Sequence, residues 1–518
     1  MAQLQFAFSD LVELLPAKKE WAVETLTLLG FPSEETEGGG LNVEVTPNRP
    51  DALCVEGLAR TLRCYKTGKS AKYNVGTSKV GVYVDKSVAS VRPFFGGAVV
   101  QNIKMSDSLL RSIMQAQEKL HETLGRKRRK VAIGIHDLGC VKPPFRYFAC
   151  GRKEISFVPL EMTEKMTPEQ ILGKHPKGVD YAHLVGEKCP MITDKNGQVL
   201  SFPPIINGEL TKLTGKTASL FIDATGTNVD AVRQAVNILA AMLSERGGIV
   251  EEIAVNGKPY ALLEERKWKL PVKESEKLLG VKLGAKKTSA LLAKMGHRVA
   301  GTSVFVPGYR ADVMHAVDLV EDVAIAYGFN NFEPKLPGFF SIGHANPESE
   351  YHEILVGLGY DEAVSWTLAN AGLAKKAGLP EAGAAKIENP LTGDFTIFRP
   401  AILPGLLSIM SESKNERLPI RLYEIGPAGA PAVERRLAFA SMHPRSSFSE
   451  IKGAVLALAE ATGKKAELKA EEFGPYVSGR CAAVYMDGKK AGYAGEISPR
   501  VLANFNLEQP VCAAEIRL

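Results

Sequence analysis

Asp318, Glu321 and Asp322 recur at spacings of three and four within Arg310-Ala-Asp-Val-Met-His-Ala-Val-Asp-Leu-Val-Glu-Asp-Val-Ala-Ile-Ala-Tyr-Gly-Phe329. On a helix such spacing puts all three carboxylates on one face. Asp312 stands just upstream, after a Val-Pro-Gly-Tyr-Arg run that reads as a loop. Ala316, Val320, Val323 and Tyr327 repeat at helical period and supply an apolar stripe on the opposite face. Like charges so placed repel by roughly 0.2–0.5 kcal/mol per pair. A hard cation with oxygen ligands removes that repulsion. Mg²⁺, which binds one or two carboxylates directly and keeps several waters, suits Asp312, Asp318, Glu321 and Asp322. A solvated acidic helix face has the same pattern.

Two further segments carry charge or stiffness that chemistry can use. Gly125-Arg-Lys-Arg-Arg-Lys130 sets five cations in a row after a helical stretch. Arg126, Arg128 and Arg129 are candidates for phosphate contacts, each adding to salt dependence; a solvated patch is the plainer reading. Thr46-Pro-Asn-Arg-Pro-Asp51 is a turn stiffened by two prolines, with Asp51 placed to cap the following helix and Arg49 held on a rigid loop. No Gly-rich phosphate loop is present. No Ser-His-Asp or Cys-His order stands out, so a positioned-water ester hydrolysis is favoured over a covalent one.

The elements that must hold these residues follow from pattern. A chain of 518 residues implies several domains. No apolar run approaches the ~20 residues a membrane span needs, and Met1-Ala-Gln-Leu-Gln-Phe lacks the basic head and apolar stretch of a signal peptide. Seven scattered cysteines without a Cys-x-x-Cys pair point to reduced thiols in a cytosolic compartment and away from zinc. A net charge of +6 permits a polyanionic partner without requiring one.

Residues 1–78 read as helices with one strand: Asp10 to Leu29 helical, Leu41 to Val45 extended, then a helix to about Tyr65. From 79 to 265 short apolar strands dominate, at Val82–Val84, Gly97–Ile103, Val131–Ile135, Ile155–Leu160, Gln198–Phe202 and Leu220–Asp223. Helices at Ser108–Leu124 and Asp230–Glu245 interrupt them, and Asn196-Gly197 and Asn256-Gly257 mark hairpin turns. Residues 267–341 form a smaller unit with short helices, a strand at Ser303–Val306 and the acidic helix. Residues 345–518 mix helices (Glu348–Leu358, Phe448–Thr462) with strands (Leu437–Met442, Arg480–Met486, Ala491–Glu496, Pro510–Ile516). Ala371 to Ala385, rich in Ala and Gly, reads as a surface connection. The fold class is α+β and multidomain.

Glu44-Val-Thr-Pro-Asn-Arg-Pro-Asp51, Val55-Glu-Gly-Leu-Ala-Arg60 and the Arg310 segment together resemble the β subunit of phenylalanyl-tRNA synthetase. Along the chain, Gln117-Glu-Lys-Leu-His121, Val131-Ala-Ile-Gly-Ile-His-Asp-Leu138, Ser201-Phe-Pro-Pro-Ile-Ile-Asn207 and Phe221-Ile-Asp-Ala-Thr-Gly-Thr227 resemble its archaeal and eukaryotic form. So do Phe398-Arg-Pro-Ala-Ile-Leu-Pro-Gly405, Arg421-Leu-Tyr-Glu-Ile-Gly426 and Gly495-Glu-Ile-Ser-Pro499.

The resemblance implies an editing-type domain at 79–265, a helix-turn-helix-like module with the acidic Mg²⁺ cluster at 267–341, and a class II synthetase-like antiparallel sheet without catalytic function at 345–518. It implies an α₂β₂ heterotetramer with an α subunit that activates phenylalanine with ATP, tRNA(Phe) as partner, and hydrolysis of mischarged tyrosyl-tRNA. The need for editing is physical. A phenylalanine pocket rejects a ligand bearing one extra hydroxyl only about 10²-fold, whereas a site that hydrogen-bonds the hydroxyl discriminates far more strongly. The implied editing candidates are Ser201, Asn207, Asp223, Thr225 and Thr227, with His136 and Asp137 next. Arg421 and Glu424 resemble the start of the second class II motif and are expected to form a buried ion pair. Arg517 ends the terminal strand, where the third motif would place its arginine on a helix. A free-standing aminoacyl-tRNA deacylase is the rival reading, disfavoured by the class II-like domain. A nucleic-acid-binding scaffold is another, disfavoured by the acidity of the best helix of its module.

Overall fold

The computed structural model describes residues 2–339, 341–343, 348–380, 384–429 and 432–518. They fall into two compact units, 1–335 and 336–518. Among the described residues no helix is long and apolar enough to cross a membrane.

The first unit opens with an antiparallel sheet whose central strand, Gly40–Val45, is flanked by Ala2–Ala7 and Ser33–Glu35. The expected helix from Asp10 to Leu29 is two, Phe8–Leu14 and Lys19–Leu28, because Pro16 interrupts the ladder. The helix Val55–Thr67 ends on Gly68 at φ +64°, a left-handed stop that glycine adopts without strain. Its cap is the Cys54 sulfur, which accepts from Gly57 N, and not Asp51. Asp51 is instead buried in a 3₁₀ turn, Pro50–Ala52, between the guanidinium groups of Arg49 at 2.9 Å and Arg60 at 3.2 Å.

A mixed ten-stranded sheet follows. Its central strands Val75–Val84, Ile249–Val255, Phe94–Gln101, Leu220–Gly226 and Val131–Asp137 lie side by side, and the arm Phe145–Gly151, Lys188–Thr193, Val199–Phe202, Ile206–Asn207 extends from the first of them. The helix Val229–Glu245 covers the central strands with an almost wholly buried apolar stripe. Asp107–Glu122 packs its Leu109, Ile113, Ala116 and Leu120 into the same core. Ile155–Leu160, expected as a strand, makes only isolated bridges at Phe157 and Pro159; Pro159 lacks the donor a ladder needs. The last part of the unit is a three-stranded sheet (Arg266–Lys269, Ser303–Val306, Arg298–Ala300) with helices Val272–Leu279, Gly284–Lys294 and Ala316–Tyr327.

The second unit is a seven-stranded sheet ordered Asp361–Glu362, Ile420–Ala428, Glu434–Met442, Val511–Arg517, Lys489–Ile497, Tyr476–Met486, Ala466–Ala470, antiparallel except for the first pair. Alternation splits its core: Ala440 and Ala513 face the helix Leu403–Glu412, while Phe439 and Ala514 face the helix Phe448–Ala461. The expected surface connection at 371–385 contains a helix, Ala371–Lys376, with Ala374 and Ala377 buried; its residues 381–383 lie outside the described residues. Arg421 and Glu424 do not pair with each other. Arg421 reaches Glu450 at 3.3 Å and Glu424 reaches Arg399 at 2.5 Å, since residues three apart on a strand project to opposite faces. Arg517 donates to Lys490 O at 2.7 Å and pairs with Glu434.

Candidate active site

A cavity of about 340 Å³ opens between the helix Asp107–Glu122, the strands Val131–Asp137 and Leu220–Gly226, and the loop Pro203–Asn207. Ser201, Asn207 and Asp223 line it, so two distant sequence segments meet as expected. Ser201 and Asn207 sit opposite each other across a two-residue ladder, which holds both side chains on rigid backbone. Asp223 stands in the middle of a fully buried strand. His136, on the neighbouring strand, lies with Nε2 2.7 Å from Asp223 Oδ1 and Nδ1 2.8 Å from the Thr211 hydroxyl. A carboxylate oxygen accepts, so His136 Nε2–H donates to Asp223.

Gly134 faces Asp223 directly in the ladder. A Cβ there would meet Asp223 Oδ1 at 2.3 Å and His136 Nε2 at 2.6 Å, so the pair exists because this position has no side chain.

Thr225 and Thr227 do not line the cavity. Thr225 is buried two residues along the strand, where its carbonyl accepts from Arg92 at 2.7 Å. Thr227 is exposed, and its hydroxyl reaches Arg129 O. Asp137 ends its strand and caps the 3₁₀ turn that follows, accepting from Gly139 N at 2.9 Å and the Thr217 hydroxyl at 2.6 Å.

The basic run divides in two. Arg126, Lys127 and Arg128 all have positive φ, at 47°, 53° and 63°. Each costs on the order of 1–2 kcal/mol in a residue with a Cβ. This left-handed turn sends Arg126 and Arg129 outward and Arg128 inward. Arg128 is 8% exposed; it donates to Ile205 O at 2.7 Å, Pro204 O at 3.3 Å and Glu118 at 3.3 Å, with Tyr181 under its guanidinium. Arg128 is therefore a strut of the cavity wall and not a surface phosphate contact, the sequence expectation for it. A run of cations carries no mark of which one turns inward.

Ser201 Oγ, His121 Nδ1 and Arg128 Nε are buried polar atoms without a hydrogen-bond partner, and all three side chains line this cavity. Such atoms are uncommon in folded proteins. Glu118 and His121 stand in the sequence only within the Gln117–His121 motif; their spacing of three on an amphipathic helix is the signal of a shared face.

The acidic segment is arranged differently from its expectation. Asp322 is 4% exposed on the buried side of the helix Ala316–Tyr327, paired with Arg310 at 2.7 Å and His297 at 2.6 Å. Burial alone would raise its pKa; Arg310 and His297 more than offset that and hold it down to about 2. Asp312 binds the same guanidinium at 2.8 Å. Asp318 caps its own helix by accepting from Met314 N and His315 N, and Glu321 is exposed. Among the described residues no three acidic, His or Cys side chains converge as metal ligands. Arg310 already supplies the positive charge between Asp312 and Asp322, so the four carboxylates as placed do not fit a Mg²⁺ site.

Comparison with known proteins agrees with this architecture. Residues 344–518 match the family described as phenylalanyl tRNA synthetase beta chain CLM domain, and residues 268–329 match the tRNA synthetase B5 domain. The phenylalanine–tRNA ligase beta subunit of Methanothrix thermoacetophila is 37% identical over 538 residues, covering 100% of both chains. That of Archaeoglobus fulgidus is 38% identical, covering 99% of this chain and 97% of its own. A crystal structure of an N-terminal fragment of the phenylalanyl-tRNA synthetase β subunit from Pyrococcus horikoshii superposes with TM-score 0.59 at 34% identity, over 63% of this chain and 99% of the fragment. The chain belongs to the phenylalanine–tRNA ligase beta-subunit family.

Proposed function

We propose that this chain is the β subunit of a phenylalanine–tRNA ligase, working in the cytoplasm with an α subunit as an α₂β₂ heterotetramer on tRNA(Phe), and that its 340 Å³ cavity hydrolyses mischarged tyrosyl-tRNA(Phe). Full-length identity to curated beta subunits supports the ligase assignment. In the second unit Arg421, Glu424 and Arg517 are held by protein partners, which supports placing phenylalanine activation, with its ATP, in α. Mg²⁺ accompanying ATP usually enters on the nucleotide's phosphates.

One observation carries the hydrolytic reading: Asp223, paired with His136 behind it, lines the same cavity as the unpartnered Ser201 hydroxyl. Asp223, oriented by His136, accepts a hydrogen bond from a water and aims its oxygen at the ester carbonyl carbon. The Ser201 hydroxyl, lacking a protein acceptor, is free to donate to the carbonyl oxygen as it gains negative charge. As the water oxygen bonds to the carbonyl carbon its proton passes to Asp223, and collapse of the tetrahedral intermediate breaks the ester C–O bond as that proton passes to the leaving 3′ oxygen, releasing tyrosine and the 3′-terminal hydroxyl of the tRNA. The test is deacylation of tyrosyl-tRNA(Phe) by the αβ complex carrying Asp223→Ala or Ser201→Ala. Wild-type rates in both variants would remove the assignment.

A further inference from the structure

Two buried groups of opposite charge stand one strand step apart, and neither touches an ion of the other sign. Asp223 is 1% exposed, and among the described residues His136 is the side chain hydrogen-bonded to it. Arg92 is 3% exposed. It donates to the Thr225 carbonyl at 2.7 Å, the Thr225 hydroxyl at 3.4 Å, and the carbonyls of Arg128 and Arg129 at 3.3 and 3.4 Å. Among the described residues no carboxylate touches it. A buried guanidinium loses its hydration, and neutral carbonyls satisfy its donors without balancing its charge.

Local structure delivers Arg92 to this place. Pro93 confines the Arg92 backbone to extended conformations. The Arg92 carbonyl accepts from the Tyr147 hydroxyl at 2.8 Å, and its N–H donates to Val88 O at 2.9 Å. Asp223 and Thr225 are two apart on the strand Leu220–Gly226, so their side chains share a face, about 7 Å apart along the strand. Ile222 and Ala224 take the other face, in the core that the helix Val229–Glu245 covers. Arg92 Nε reaches the Thr225 hydroxyl, so its charge lies on the Asp223 face. Burial lowers the Arg92 pKa to about 10, against which Tyr147 and then Asp223 act.

The other ionisable groups facing Asp223 are engaged elsewhere. The helix Asp107–Glu122 brings Glu118 and His121 to the cavity, and the left-handed turn brings Arg128. Glu118 is shared by Arg128 at 3.3 Å and Lys177 at 3.6 Å. Burial lowers the His121 pKa. His175 lies between Leu160 O and Lys177 N, and Glu161 is exposed. The strand Phe94–Gln101, which flanks Asp223 on the side away from His136, has no ionisable side chain.

We infer that Arg92 is a positioning residue for the hydrolysis: its buried guanidinium is the counter-charge of the Asp223 carboxylate and ties the end of that strand to the left-handed turn at 126–129. This rests on the ester-hydrolysis reading of the cavity. Arg92 touches neither the ester nor the water; it acts through Asp223 and Thr225.

The first readout is the pH dependence of tyrosyl-tRNA(Phe) deacylation by the αβ complex. Arg92→Met, which removes the charge, is expected to move the acid limb of kcat/KM up by about one pH unit. Arg92→Lys keeps the charge but loses the planar fork of donors. It is expected to leave the limb in place and lower the plateau rate. A limb that stays put in Arg92→Met, with activity lost equally at every pH, makes Arg92 a strut alone and overturns the assignment.

The second readout is stability: a double-mutant cycle of Arg92→Met and Asp223→Asn, followed by the unfolding midpoint of the full chain. Each single variant leaves one buried charge uncompensated, so the double variant is expected to be more stable than the two single losses predict. If Arg92→Met does not fold, the double variant is expected to recover folding. Additive losses, or a double variant no better than Arg92→Met, overturn the pairing. If the wild type does not cleave the ester yet the cycle shows coupling, the hydrolytic reading fails and the charge pairing stands. If Asp223→Ala abolishes deacylation while the cycle is additive and the acid limb ignores Arg92→Met, the pairing fails and the hydrolytic reading stands.

Discussion

His136 and Asp223 meet across adjacent strands at 2.7 Å, both out of solvent, with the hydrogen-bonded Thr211 hydroxyl on the far side of the imidazole. The carboxylate is thereby held at one orientation by a ring that is itself fixed, the arrangement a positioned-water hydrolysis requires. Gly134 is the residue that permits the contact.

Gly134→Ala is expected to break this pair. Its methyl would arrive 2.3 Å from Asp223 Oδ1, so the carboxylate must turn. Tyrosyl-tRNA deacylation should fall by about 10²-fold, the scale of an ångström misplacement, while phenylalanine charging stays at its wild-type rate. Steady-state assays of the two activities in one preparation check this.

Asp51 makes stability depend on acid. Burial works against its ionisation; Arg49 and then Arg60 hold its pKa well below the ordinary 3.8. A depressed folded pKa contributes stability that is complete above about pH 4 and is lost as pH falls below that. Asp51→Asn should cost about 3–5 kcal/mol at pH 7, because it leaves Arg60 buried without its counter-charge. It should also flatten the decline below pH 4. Urea midpoints across about pH 2.5–7, spanning the decline below the unfolded carboxyl's pKa and the plateau above it, give both numbers.

The basic run should separate by substitution. Arg126→Ala with Arg129→Ala is expected to weaken tRNA binding by the complex and reduce the slope of log K against log salt by about 1–2. Arg128→Ala should leave that slope unchanged and instead lower the thermal midpoint, since it releases the Pro204 and Ile205 carbonyls. Filter binding at several salt concentrations distinguishes the two groups.

The arrangement around Arg310 predicts an indifferent response to metal. Mg²⁺ should shift the thermal midpoint of the isolated chain equally in wild type and in Asp318→Asn with Glu321→Gln. A shift lost only in the double variant would show that the carboxylates rearrange into a ligand set.

Much of this architecture was legible in pattern. Apolar alternation marked Leu41–Val45, a short apolar run marked Leu220–Asp223 and helical period marked Asp230–Glu245, because each of these elements buries its apolar side chains in the core. Ser201, Asn207 and Asp223 were legible as polar residues beside stiff turns and strands. Asp322 was misplaced because period alone cannot show that an arginine from outside the helix will make a buried carboxylate tolerable. Thr225 was misplaced for a related reason: its backbone and hydroxyl answer Arg92, whose burial has no local sequence mark. Glu118 and His121 were out of reach, since their environment is made by Ile133 and Arg128 from elsewhere in the fold.

The most direct measurement is the fate of tyrosyl-tRNA(Phe) in the αβ complex carrying Asp223→Ala. The account predicts that deacylation falls to the uncatalysed rate while phenylalanine charging continues unchanged, with tyrosyl-tRNA accumulating when tyrosine is in excess. Deacylation at the wild-type rate in this variant would contradict the account and take the site away from this cavity.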